Sequence, residues 1–186
     1  MAGCQAATTA TNGDGGDPND PTSCGAGVFA VADEGRVHVP SGTPVAYKHN
    51  PPASGSHWPD PYPWGVSLNT VAPRERWVHN LEHGGVVFLF NCGGASSDGG
   101  GGDGGMSSDG GAGQCPDVTA ALQYLHDERK PDEFNEIRIA VTPDPLAPRR
   151  VTAVAWDWMW EGDAVDAATM RCFRDRRYGQ GPEHAP

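Results

Sequence analysis

The chain has 186 residues, a formal net charge of −11 and only 13 Lys and Arg. It therefore lacks the clustered basic face that neutralises phosphates, which excludes nucleic acid as a partner. No apolar run approaches the roughly 18 residues of a membrane-spanning helix, and the longest, VVFLF at 86–90, has the length of a strand. Such a chain suits one domain with an ordinary core.

The N-terminal residues Met1-Ala2-Gly3-Cys4 resemble the end of a bacterial lipoprotein signal, in which small residues precede a cysteine that becomes acylated, here Cys4. Residues 5–23 contain no cation and no large apolar side chain, so their composition predicts a flexible tether. An anchor followed by a polar tether is the layout of an extracytoplasmic lipoprotein domain, in the periplasm or on the outer surface, that touches the membrane only through its lipid. The expected organisation is 1–23 as lipoprotein-like N-terminus and tether, and 24–186 as a single globular domain.

Apart from Cys4, the cysteines are Cys24, Cys92, Cys115 and Cys172. An even set fits disulfides formed in an oxidising compartment, and three pairings are possible. Cys92 with Cys115 is favoured because of what lies between them: eleven of the 21 residues at 93–113 are glycine, and SSDGG occurs twice. Cys24 with Cys172 follows by elimination. The low-complexity stretch is read as an insertion, and it lacks the regularly placed apolar residue that calcium-binding glycine repeats need.

Taken in order, Val37-His38-Val39 and Val45-Ala46-Tyr47 alternate about the turn at 40–44 and predict a hairpin. Residues 50–73 carry six prolines with Trp58, Tyr62 and Trp64, the composition of a rigid, aromatic-padded loop. Gly85 to Asn91 predicts a strand apolar on both faces and central in its sheet. Pro116-Asp117 opens a predicted helix through about Lys130. Two further strands are predicted over 137–141 and 151–156, and a closing helix over 163–176. The expectation is an α+β fold: a small mixed sheet with two helices packed on it, and long proline-rich and glycine-rich loops. Trp156, Trp158 and Trp160 would share one side of an extended segment, as core packing in preference to a carbohydrate platform. Met159 and Met170 read as gap fillers rather than copper(I) ligands.

The chemically loaded segment is His79-Asn80-Leu81-Glu82-His83. One helical turn would place His79, Glu82 and His83 on the same face. Its HxxEH pattern is also that of the inverted zinc peptidases, in which a glutamate activates water, but Gly84-Gly85 and the strand cut the helix off and no helix for a third ligand follows. His57 ends the proline-stiffened PPASGSH segment. With His79 and His83 it would supply three imidazoles, a set suited to copper or zinc, with Glu82 as fourth ligand or as acceptor orienting an imidazole. His38 and His49 are held in reserve. Gly181-Pro182-Glu183 reads either as a carboxylate returned to the site or as a tail. The metal-free alternative is a hydrogen-bonded polar cluster pinning loop to strand.

The segments PPASGSHW (51–58), WVHNLEHGGVVFLFNC (77–92), VTAVAWDW (151–158) and GPE (181–183) together resemble the domain of unknown function 3105 family over about residues 36–183. Departures are Ala53, where that family's pattern has threonine, and the 93–113 insertion. The resemblance implies a shared site at His57, His79, Glu82 and His83 and an exported bacterial protein, and it assigns no activity. Three functions are thus in view: a copper- or zinc-binding lipoprotein domain; a metal-dependent hydrolase or oxidase with Glu82 as base; and a non-enzymatic interaction module with structural histidines.

Overall fold

Val86–Phe90 (β3) is buried at every position, as befits a strand apolar on both faces. In the computed structural model, which describes residues 17–93 and 115–186, β3 lies inside a mixed six-stranded sheet. The other strands are β1 (Val28–Ala30), β2 (Gly65–Val66), β4 (Ile139–Pro143), β5 (Val151–Ala155) and β6 (Trp158–Gly162). Their order is β1-β6-β5-β3-β4-β2. β4 runs parallel to both β3 and β2, and the remaining pairs are antiparallel. Cys4, residues 5–16 of the expected tether and residues 94–113 of the insertion lie outside the described residues.

Three helices cover the sheet, one more than expected. Val86, Phe88 and Phe90 point to one face, where α2 (Pro116–Asp127) and α3 (Ala167–Arg177) bury Val118, Leu122, Leu125, Met170 and Phe173. The alternate residues Val87 and Leu89 meet Trp77, Val78 and Leu81 of α1 (Arg74–Glu82) on the other face. The period-two side-chain geometry of β3 thus feeds two cores. Disulfides join Cys24 to Cys172 and Cys92 to Cys115. Among the described residues no helix is long and apolar enough to cross a membrane.

α1 escapes a reading by periodicity because Trp77 through Glu82 are all buried. The sheet covers one side and the proline-rich loop the other, so no polar stripe marks a solvent face. The side chain of Asn80 clamps that loop by accepting from Tyr62 N (2.8 Å) and donating to Tyr62 O (2.8 Å). α1 ends in a Schellman motif: Gly84, at φ +79°, donates to Leu81 O, and Gly85 donates to Asn80 O.

The hairpin expected at 37–47 does not form. His38 instead bridges His57 in parallel, through Val39 N donating to His57 O (2.8 Å) and His57 N to Val37 O (3.1 Å). Pro40 and Pro44 lack N–H groups for a ladder, and Val45 N donates to the Glu75 carboxylate. The tryptophan stripe is also broken. Trp156 and Asp157 form the turn between β5 and β6, with Asp157 at φ +60°, so Trp156 joins the α1 core while Trp158 and Trp160 face the α2–α3 core. The closing helix begins at Ala167 rather than 163, where the Asp166 carboxylate caps it by accepting from Thr169 N.

Candidate metal centre

The proline-rich loop and the last turn of α1 meet edge to edge. Trp58 N donates to Glu75 O, fixing the loop so that His57 and the α1 residues His79 and Glu82 face one another. His57 and Glu82 are 0% and 1% exposed in their side chains. His57 Nε2 lies 2.9 Å from Glu82 Oε2, and His38 Nε2 lies 3.4 Å from the same oxygen. The His38 ring stacks on His79 at 4.9 Å and meets His57 edge-on at 4.7 Å.

Each of the three histidines singled out by motif spacing is tied at Nδ1 to a backbone carbonyl: His57 to Gly55 O (2.8 Å), His79 to Trp58 O (2.7 Å) and His83 to Pro186 O (2.6 Å). A carbonyl only accepts, so each Nδ1 carries a proton and Nε2 of each neutral ring is left as a lone-pair acceptor; at His57 that nitrogen faces Glu82 Oε2, so this pair too needs a proton or a cation between its atoms. Those lone pairs point inward. His79 Nε2 and His83 Nε2 stand 3.0 Å apart, and two lone pairs at that separation require a proton or a cation between them. Ligand atoms of His38, His57 and His79 lie within 4.8 Å of one another, as do those of His79, Glu82 and His83. Bonds of about 2.0–2.1 Å at tetrahedral angles place ligand atoms about 3.3 Å apart, so small side-chain movements would close either set around one ion. Burial, together with the neighbouring His83, His57 and His38, holds His79 below the usual imidazole range against the opposing pull of the Trp58 carbonyl, which favours the neutral form a metal needs.

The C-terminal strap adds a residue left open by the sequence. Gly179 N donates to Gly84 O (2.8 Å) and Glu183 N to Glu82 O (3.0 Å), which brings the Glu183 carboxylate to 3.8 Å from His83 Nε2. GPE thus packs against the histidine cluster, and its signal is the glycine: a Cβ on Gly181 would lie 2.2 Å from Glu82 O and Gly84 N. Buried Arg138, held by Asp132, donates to the carbonyls of His83 and Ala185 and locks the strap. His38, 46% exposed, and Glu183, 44% exposed, form the solvent side of the cluster.

The other candidates lie elsewhere. His49 donates from Nδ1 to Pro51 O and lines a separate cavity. His126 and His184 pair with Asp127 and Glu133. Met159 and Met170 are buried in opposite cores, so no thioether reaches the cluster. Glu82 Oε2 is occupied by His57, an arrangement that suits a ligand or an orienting acceptor better than a base free to activate water.

Residues 38–99 match the family model described as protein of unknown function (DUF3105). That span contains His38, His57, His79, Glu82 and His83, and it ends before the AW segment and GPE. No curated protein and no solved structure matches the chain.

Proposed function

We propose that this is an extracytoplasmic domain that binds one transition-metal ion through His57, His79 and His83, with Glu82 and His38 completing the donor set. The observation that carries it is the anchoring of three imidazoles at Nδ1 by the carbonyls of Gly55, Trp58 and Pro186. Carbonyl acceptors of this kind orient metal-binding histidines and fix their tautomers. An imidazole and carboxylate set without thiolate or thioether suits zinc or copper(II). The two disulfides support an oxidising compartment. Lipid attachment at Cys4, with the membrane as the only non-protein surface touched, is part of the proposal and rests on the small residues before Cys4 and the polar stretch after it.

The test is elemental analysis of the untagged full-length protein after zinc or copper loading, beside a His79→Ala, His83→Ala variant. About one equivalent in the parent, lost in a variant with the same far-UV spectrum, is expected. Absence of stoichiometric metal from both proteins would overturn the reading in favour of a hydrogen-bonded polar cluster. Cobalt(II) substitution then separates a closed binding site from an open, hydrolase- or oxidase-like one, because an exchangeable fourth position responds spectrally to added anions.

A further inference from the structure

A cavity of about 620 Å³ is lined by residues from 45–50, 71–75 and 144–146. Its volume is that of small-molecule sites, which combine apolar walls with a few polar groups. Val45, Val71, Pro73 and Leu146 supply the apolar wall. Val71 and Leu146 are 52% and 67% exposed, two of the four most exposed large hydrophobic residues among those described.

The charge of the lining reduces to one group. Arg74 donates from Nε (3.1 Å) and Nη2 (2.7 Å) to Asp144 Oδ2, and Asp144 Oδ1 accepts from Leu146 N. This pair cancels. Glu75, by contrast, accepts only the neutral Val45 N–H at 3.3 Å and forms no ion pair among the described residues. The Tyr47 ring lines the same space, with its hydroxyl donating to Ser56 O at 2.8 Å. Burial, then the carboxylates of Glu75 and Glu34, push the Tyr47 phenol well above its usual range against the opposing charge of Arg74, so the phenol stays neutral beside Glu75. Apolar walls, an uncompensated carboxylate and an aromatic ring are together complementary to an ammonium on an apolar body.

We infer that this cavity binds a small amphipathic amine, its ammonium at Glu75 beside Tyr47 and its apolar part against Val45, Val71 and Leu146. The site is independent of the histidine cluster, and the test is run on metal-free protein so that the two readings stand or fall separately. Isothermal titration of the full-length chain compares 4-phenylbutylamine, 4-phenylbutanol and 4-phenylbutyrate, which share one apolar body and differ in charge. The amine is expected to bind at least about tenfold more tightly than the alcohol, with the carboxylate weakest. Glu75→Gln, which keeps an acceptor for Val45 N–H, should reduce the amine to the level of the alcohol without changing the alcohol. Leu146→Ser, at an exposed position, should weaken the amine and the alcohol together by roughly threefold. Equal affinity for all three probes, preference for the carboxylate through Arg74, no binding, or an unchanged amine affinity in Glu75→Gln would each overturn the inference.

Discussion

Gly181→Ala is a small change with a large expected effect. The added methyl would sit 2.2 Å from Glu82 O and from Gly84 N and 2.7 Å from Gly84 Cα. All three atoms are backbone, held in the Schellman turn that ends α1, so relief has to come from lifting the strap. Lifting it breaks Glu183 N to Glu82 O, Gly179 N to Gly84 O and Arg138 to Ala185 O. At about 1 kcal/mol net for each bond, the cost is about 2–3 kcal/mol. For a domain of this size that lowers Tm by roughly 4–12 °C. The same movement takes the Pro186 carbonyl from His83 Nδ1, so metal affinity should fall by about tenfold or more, as when an orienting acceptor is lost. Urea unfolding and metal titration measure the two effects. Gly93→Ala, whose new methyl has only Asn91 Oδ1 at 3.8 Å nearby, serves as the control and should stay within about 0.5 kcal/mol of the parent. A Gly181→Ala protein as stable as that control, with unchanged metal affinity, would refute the seating of the strap.

In metal-free protein, His57→Ala removes the closest partner of buried Glu82 and should cost about 3 kcal/mol, the lower end of the range because His38 still faces the same oxygen. Adding Glu82→Gln should recover part of that loss; a double variant no more stable than His57→Ala would count against a buried pair. His79, whose folded value lies below its usual 6.5, binds its proton more readily in the unfolded chain. Its contribution to the stability of metal-free protein is therefore complete above about pH 6.5 and declines as pH falls from there toward the depressed folded value. The urea midpoint of the parent should accordingly fall more steeply between pH 7.5 and 5 than that of His79→Gln, and parallel profiles would contradict the assignment.

The three inner strands β3, β4 and β5 and the two closing helices are legible in the sequence because local alternation and helical spacing encode them, whereas β1, β2 and β6 are not. VVFLF marks an inner strand, the Pro116-Asp117 opening marks α2, and 151–156 marks β5. The sharp end of α1 is also legible, since Gly84 and Gly85 are the residues a Schellman turn uses. Motif spacing likewise singled out His57, His79, Glu82 and His83, which the fold brings together.

What the sequence could not decide depends on covering and distance along the chain. α1 shows no amphipathic stripe because loop and sheet bury opposite sides of it, and the hairpin at 37–47 yields to a bridge between His38 and His57. His38 stands only in reserve by sequence, and GPE reads equally as a returned carboxylate or as a tail. His38 and Glu183 arrive through packing: a stacked imidazole in one case, and in the other a strap, held by Arg138, whose Pro186, 103 residues along the chain from His83, bonds to it. Local periodicity marks the inner strands and the helices that keep one exposed face, because it acts within a few residues. Strand order, loop pairing and the composition of the cluster were decided only in the tertiary structure, where burial and backbone hydrogen bonding between distant segments select one arrangement.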